Sequence, residues 1–304
     1  MSQEELSGVL VVYKHAGVTS HDIVNKIRRL YGTRRVGHTG TLDPMATGVL
    51  VVLIGRAAKA CEYLLADSKR YRARLRLGIT TDTEDTTGTV LTTSESIPTR
   101  EEFEAILPRF RGHIEQIPPM YSALKVGGQK LVDLARQGVV VEREARPIEI
   151  HALEATPTEQ PTDYILDVHC SGGTYIRTLC ADIGAALGCG GAMAELERVA
   201  TGGFSKEESY TVTQLEEMTP EERASILHPT ESLFSELPAI KLPPFFEKLC
   251  RSGCEIYLKK LSITLPLGTR TRIYTESGTF FALGEVGEFK DGIAVKAIKT
   301  FVLE

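Results

Sequence analysis

A single carboxylate stands in the middle of Gly37-His38-Thr-Gly-Thr-Leu-Asp43-Pro-Met-Ala-Thr-Gly48, among three glycines and three threonines. Glycines let a backbone approach a ligand closely, and Pro44 restricts the backbone of Asp43. A carboxylate presented in this way can act as a nucleophile or a general base. An Asp-Pro pair also makes turn hydrogen bonds, so spacing alone leaves both roles open. The phosphate-cradling alternative lacks its Gly-Lys-Ser/Thr ending. Other clusters offer less. Cys250-x-x-x-Cys254 has no second pair of zinc ligands nearby. Asp82-Thr-Glu84-Asp85 lacks the spacing of a calcium loop and reads as a turn between strands. The scattered histidines make no Ser-His-Asp case. With no tryptophan in the chain, any base stacking falls to Tyr, Phe, His or Arg.

The elements that must position Asp43 follow from periodicity. Gly8–Tyr13 reads as a short buried strand. Ser20 reads as the N-cap of a helix with Ile23, Val24, Ile27 and Leu30 at helical spacing. Arg28 and Arg29 suit its last turn, and Gly32 its end. The glycine-rich loop leads into an apolar strand, Val49–Ile54, and Gly55–Ala66 is expected to be helical. Arg70–Leu77 alternates with period two, so Tyr71, Ala73, Leu75 and Leu77 face one way and Arg70, Arg72, Arg74 and Arg76 the other. Those arginines must meet solvent, acidic partners or phosphates.

Thr99-Arg-Glu-Glu102 is a capping box opening a helix. The basic, glycine-containing segment Met120–Gly138 holds a short helical stretch ending at Arg136. Tyr164, Leu166, Val168 and Cys170 alternate as a strand. Ile176, Leu179, Ile183 and Leu187 form a helical stripe closed by Gly188. Thr219-Pro220-Glu221-Glu222 starts another helix, with proline at its preferred first position. Three prolines mark Ser235–Pro244 as a linker. Beyond it a short helix, Phe245–Ser252, precedes strands at Ser262–Leu265, Arg270–Tyr274, Thr279–Leu283 and Gly292–Leu303, the pattern of a small β-barrel. Strands and helices alternate without regular βαβ spacing, which predicts an α+β fold.

The string from Gly37 to Leu50 closely resembles the catalytic motif of the TruB family of pseudouridine synthases. Further blocks resemble that family in order: Lys69-Arg-Tyr71, Thr81-Asp-Thr83, Pro118-Pro-Met-Tyr-Ser-Ala-Leu-Lys125, Ala145-Arg-Pro147, Gly173-Thr-Tyr-Ile-Arg177 and Leu196-Glu-Arg198. The resemblance runs from about Gly8 to Phe204. It implies a mixed, largely antiparallel central sheet in a catalytic domain over 1–237, with an RNA-gripping segment at about 122–147. The tail, 238–304, resembles a PUA-like RNA-binding barrel more weakly.

The implied reaction is isomerisation of uridine 55 in the T-loop of tRNA, without cofactor, metal or guide RNA. The base is detached and rejoined through carbon, which needs a nucleophile that can also leave. Asp43 matches the catalytic Asp, Tyr71 the active-site tyrosine and Arg177 the arginine that pairs with the carboxylate. Lys14, His38, Tyr175 and Leu196 match residues around the target base, His38 being associated with extruding the nucleotide. Arg70, Arg72, Arg74, Arg76 and the segment from Lys125 to Arg136 are the expected phosphate contacts. Taken singly, Tyr71 also suits a core strand, Arg177 a surface ion pair and His38 a turn cap. His15 departs from the family's proline, and Val132 from a common tyrosine. A guide-RNA-dependent branch of the superfamily shares the Asp motif. A non-catalytic RNA-folding protein would not need the carboxylate.

The rest of the sequence sets bounds. With 304 residues, 42% of them hydrophobic and 25% charged, the chain can bury a core without staples. Met1–Leu6 is polar and acidic, so no signal peptide is expected there. Six cysteines without a paired framework suit reduced thiols. Together these predict a cytoplasmic protein with no membrane partner. No coiled-coil seam calls for self-association, so a monomer is expected. The net charge of −5 conceals segregation: Val11–Arg76 holds 13 Lys and Arg against 4 Asp and Glu, whereas Ala152–Ser235 holds 4 against 14. A basic quarter of this kind can attract a polyanion locally.

Overall fold

The computed structural model of the chain describes residues 6–64 and 68–302. The β-branched run Gly8–Lys14 forms β1. It pairs antiparallel along its whole length with β2 (Thr47–Ile54), from Gly8 opposite Ile54 to Lys14 opposite Gly48. Between them lies α1 (Ser20–Leu30). Its cap is Thr19, not the expected Ser20. The Thr19 hydroxyl accepts the Asp22 N–H at 3.1 Å, and the Asp22 carboxylate accepts the Thr19 N–H at 2.8 Å. Ser20 instead ties the helix to the glycine-rich loop. Its hydroxyl accepts the Leu42 N–H at 2.8 Å and donates to the Leu42 carbonyl at 3.1 Å. At the other end Gly32, at φ +61°, allows Thr33 N–H to reach the Arg28 carbonyl.

The remaining large elements are β3 (Lys69–Leu77), α2 (Arg100–Ile106), β4 (Gly112–Gln116), α3 (Leu131–Arg136), β5 (Arg146–Pro157), β6 (Asp163–Cys170), α4 (Ile176–Ala186) and β7 (Gly191–Thr201). One sheet runs Tyr210–Thr211, β1, β2, β7, β3, β6, β5, β4, with Val36–His38 added on β2 and Phe204–Ser205 on β7. The β2–β7 seam and the Tyr210–Thr211 pairing are parallel and the other pairings antiparallel, so the sheet is mixed and largely antiparallel. α4 packs its Ile176, Leu179 and Ile183 against Tyr71, Leu75, Met193 and Leu196 in one core, and α1 packs on β1 and β2 in another.

A second, five-stranded sheet is built from β8 (Arg270–Tyr274), β9 (Phe280–Phe289) and β10 (Gly292–Thr300), flanked by Ala239–Lys241 and Ile256–Tyr257, with α5 (Pro244–Arg251) beside it. Register shifts in the β8–β9 and β9–β10 pairings bend it into a curled half-barrel. Ser262–Leu265 is not a strand, and Gly55–Tyr63 is a 3₁₀ rather than an α-helix. The end of the expected helix, at residues 65–66, lies outside the described residues. Among the described residues no helix is long and apolar enough to cross a membrane.

Ser235–Pro244 is not a free linker. Phe234 and Leu237 enter a core that joins Val9, Val51 and Leu53 of the large sheet to Phe280, Leu283 and Phe301. The Tyr63 hydroxyl donates to the Ile298 carbonyl at 3.3 Å, and Lys299 pairs with Glu62. Removing residues 238–304 would uncover that apolar face at roughly 25 cal/mol per Å². We expect the full chain to melt in one cooperative transition by circular dichroism, and a chain ending at residue 237 to melt at least 10 °C lower or aggregate. An unchanged midpoint would show that the shared core contributes little.

Candidate active site

Asp43 owes its position to a loop tied down on every side. Thr39 N–H donates to the Val51 carbonyl at 3.1 Å, Leu42 is held by Ser20, and Gly17 N–H donates to the Pro44 carbonyl at 2.8 Å. Arg198, on β7 and only 1% exposed, donates from Nε to the Val49 carbonyl at 2.8 Å and from Nη2 to the Gly40 carbonyl at 3.0 Å. Gly48, at φ +108°, ends the loop against β7, where a Cβ would lie 2.2 Å from the Arg198 carbonyl oxygen. Only glycine fits there. Ala46 N–H donates to the Asp43 carbonyl at 3.0 Å, so the backbone makes the turn and leaves the carboxylate available.

That carboxylate meets Arg177, at the second position of α4. Arg177 Nε lies 2.9 Å from Asp43 Oδ2, and Nη2 donates to Oδ1 at 3.2 Å, a two-point fork. The guanidinium, 5% exposed, spends its other donors on the Tyr121 carbonyl at 2.8 Å and the Thr83 carbonyl at 3.1 Å. Its Nη1 also lies 3.8 Å from Asp85 Oδ2. Gln116 sets the start of α4 by holding both the Tyr175 N–H and its carbonyl, at 2.8 and 3.0 Å. Burial pushes the Asp43 carboxyl above its usual range, Arg177 pulls it back, and the Asp85 charge adds to the rise.

The turn Asp82–Asp85, which by its own spacing reads only as a link between strands, is therefore part of the site, and it overlaps the block Thr81-Asp-Thr83 of the family resemblance. Asp85 is buried and accepts from Thr83 Oγ1, Thr87 N–H and Thr87 Oγ1 at 2.9, 2.9 and 2.5 Å. Glu84 adopts φ +63°, costly for a side chain larger than glycine. Its carboxylate accepts the Thr178 hydroxyl at 2.5 Å, lashing the turn to α4 next to Arg177.

Other expected residues fall at varying distances from this pair. Tyr71 and Leu196 lie in the same buried cluster as Leu42 and Ala46, and burial pushes the Tyr71 phenol up. Tyr175 is half-buried at the cap of α4. Lys14 is fully buried, its Nζ donating to the Val18, His15 and Pro44 carbonyls at 2.8, 3.0 and 3.2 Å. Burial lowers it to about 8. It holds the loop rather than the carboxylate. His38 is half-buried with Nδ1 accepting the Gly40 N–H at 3.2 Å, and burial lowers its pKa, which favours the neutral ring.

Lys125 and Arg136 are exposed on the hairpin–helix segment that continues from Tyr121, tied back by Val132 N–H to the Ser122 carbonyl at 3.1 Å. They do not touch Asp43. Arg70 and Arg72 lie on the sheet face opposite Tyr71, away from the carboxylate. Arg72 lies 3.5 Å from Asp167. Arg74 and Arg76 converge on buried Asp163 at 3.0 and 2.9 Å, and Arg74 also meets Glu195 at 3.0 Å. Arg72, Arg74 and Arg76 thus each meet a carboxylate of β6 or β7, while Arg70 stands exposed.

The sequence pattern of the TruB family pseudouridylate synthase N-terminal domain matches residues 28–176, and that of the tRNA pseudouridylate synthase B C-terminal domain matches 177–235. The protein named tRNA pseudouridine synthase B of Clostridium perfringens (strain 13 / Type A) is 41% identical over 286 residues, 93% of this chain and 96% of that protein. This chain belongs to the TruB family of pseudouridine synthases. A second relative of that name, from Clostridium novyi (strain NT), is 44% identical over 92% of this chain and 95% of its own length. The TruB chain also superposes on a chain of a Cbf5-Nop10-Gar1 complex, with a TM-score of 0.73 and 25% identity over 97% of this chain and 85% of the other. A chain of an H/ACA RNP bound to a substrate RNA containing 2′-deoxyuridine shares the fold at a TM-score of 0.72, 23% identity and coverages of 97% and 85%.

The lashing of the turn to α4 has a measurable consequence. Thr178→Val leaves the Glu84 carboxylate without its donor and should cost about 1–3 kcal/mol in urea unfolding. Glu84→Gln, which still accepts from Thr178, should cost less than about 1 kcal/mol. Equal losses in the two variants would show that the hydroxyl contact is not what holds the turn.

Proposed function

We propose that this TruB-family chain acts alone, without guide RNA, on tRNA, converting uridine 55 of the T-loop to pseudouridine with Asp43 as nucleophile. The observation that carries this reading is the forked Asp43–Arg177 ion pair beneath a loop whose sequence carries the family resemblance. The relatives named tRNA pseudouridine synthase B, alike over nine-tenths of the chain, supply the substrate class. The glycosidic bond from N1 breaks, a bond from C5 to the same sugar carbon forms, and the proton that leaves C5 is matched by one taken up at N1, so nothing is gained or lost overall. A carboxylate that can add and then leave meets this requirement.

The surrounding side chains divide the work of that scheme. Arg177 keeps the Asp43 carboxylate ionised against burial and aims it through two hydrogen bonds. Tyr71 stacks on the uracil and Leu196 and Tyr175 close around it. His38, neutral and held by Gly40, occupies the place of the extruded nucleotide and offsets an unstacking cost of roughly a few kcal/mol. Lys125 and Arg136, on the exposed segment after Tyr121, contact the RNA backbone, and the sheet over 238–304 grips tRNA as a PUA-like domain. The enzyme works in the cytoplasm as a monomer.

Pseudouridine mapping on an unmodified tRNA transcript tests the reading. Wild type should give one T-loop product, and Asp43→Asn none, a loss of at least 10⁴-fold on the order seen when a covalent nucleophile is removed. Product from both proteins, or none from wild type without a guide RNA, would overturn it. The rate should also fall on acidification as Asp43 takes up a proton. Because burial raises the Asp43 pKa and Arg177 opposes that rise, Arg177→Met should move the acid limb of the rate profile to higher pH. An acid limb left where it was would remove Arg177 from the role of holding the charge.

A further inference from the structure

The segment between β4 and β5 is fastened at its base by two arginines. It leaves the large sheet through Ile117-Pro118-Pro119-Met120 and returns through residues 137–145, which form neither helix nor strand. On the way out, the Tyr121 carbonyl accepts from Arg177 Nη2 at 2.8 Å. On the way back, Arg143 Nη1 donates to the Pro118 carbonyl at 3.1 Å, closing a span of 25 residues. Further hydrogen bonds hold the segment to itself. Leu131 N–H donates to the Leu124 carbonyl at 2.8 Å, and Val139 N–H to the Leu134 carbonyl at 3.0 Å.

The two accepting carbonyls are three positions apart in the chain. Pro119 fixes its own φ and restricts the backbone of Pro118 before it, and Pro118, Pro119 and Met120 are all buried. The link from one carbonyl to the other is therefore short and stiff. Arg143 is half-buried, and its Nε is shielded from water without an acceptor. A shielded donor left unmatched costs stability, so fold stability alone does not account for this side chain. Its charge also reaches the Asp82–Asp85 turn. Burial pushes the Glu84 carboxyl up, and the Thr178 hydroxyl, Arg177 and Arg143 oppose the rise. Both arginines thus flank the same turn.

We propose that Arg143 is a positioning residue for the isomerisation: by holding the Pro118 carbonyl it fixes the Tyr121 carbonyl, and through it the Arg177 guanidinium that faces Asp43. The proposal rests on the reading of Asp43 and Arg177 as the catalytic pair, and it adds the returning chain of the RNA-gripping segment to what aims them. Arg177 Nη2 serves the Tyr121 carbonyl at 2.8 Å and Asp43 Oδ1 at 3.2 Å. The guanidinium is planar and its donors keep a fixed fork. A displaced Tyr121 carbonyl therefore turns the same plane that aims Nε at Asp43 Oδ2.

The test uses the full chain with Arg143→Ala and with Arg143→Lys, which keeps a donor for the Pro118 carbonyl. Affinity for an unmodified tRNA transcript is measured by filter retention, and pseudouridine formation by single turnover at saturating tRNA. Arg143→Ala should slow the saturated step about tenfold or more while affinity stays within about threefold of wild type. Arg143→Lys should recover the rate to within about threefold of wild type. Added to Arg177→Met, Arg143→Ala should slow the step by less than about twofold further, because the residue it acts through is gone. An unchanged saturated rate in Arg143→Ala, with or without weaker binding, would overturn the proposal, as would an equal loss in the presence and absence of Arg177. Amide hydrogen exchange of the free protein judges the link apart from activity: residues 121–124 and 175–178 should both exchange faster in Arg143→Ala. A wild type that binds tRNA and makes no pseudouridine would overturn the catalytic reading. Faster exchange at both places would then keep the link from Arg143 to Arg177 standing, and unchanged exchange would overturn it.

Discussion

The site depends on one buried cation. Arg177 is almost completely shielded from water, and a charge in that position persists only if its donors are all used. Asp43, Asp85 and the carbonyls of Thr83 and Tyr121 use them. Four separate stretches of chain are brought to one guanidinium. The loop of Asp43, the Thr83–Asp85 turn, the segment after Gln116 and the start of α4 cannot shift independently without stranding a charge. The same arrangement explains why Asp43 feels opposing influences. Burial and Asp85 favour its neutral form, Arg177 its ionised form. Opposed influences of this kind on one carboxyl are what functional sites concentrate.

The sheet supplies the second constraint. β2 and β7 run parallel side by side, and the loop carrying Asp43 enters β2 where Gly48 touches the backbone of Arg198. The Arg198 side chain then reaches back along the seam to Val49 and Gly40, stitching both ends of the loop to the strands. Lys14 does the same from β1 through the Pro44 carbonyl. Backbone bonds and the close fit of Gly48 thus shape the loop, and its one carboxylate is left facing Arg177.

Charge segregation takes on a different meaning once the strands are paired. The four arginines of β3 lie one residue apart from the site-facing row. Across the ladder Arg76 faces Asp163, Arg74 faces Glu195 and Arg72 faces Asp167 and Glu197, all drawn from the acidic stretch of the chain, while Arg70 faces His169 and Ala200. The acidic and basic stretches thus neutralise one another on the outer face of the sheet.

Local physics was legible from the residues. Period-two alternation told which side of β3 is buried, capping boxes located α2 and the helix at Pro220, and the glycine-rich motif with its ordered companion blocks singled out Asp43, Tyr71 and Arg177. These depend on residues a few positions apart. The cap of α1 lies one position before Ser20 because Ser20 answers to Leu42, and Gly55–Tyr63 winds as a 3₁₀ and not an α-helix, with Ala57 and Ala60 in a core shared with β9. Asp85 and Gln116 give no local sign of their roles, and the block that marks Arg198 does not show its partners, since each acts on a group dozens of residues away. Sequence determined which side chains could do chemistry, because reactivity and short-range periodicity belong to the residues themselves. Only the tertiary structure decided which charges meet, because buried charges find their partners across strands and through loop closure.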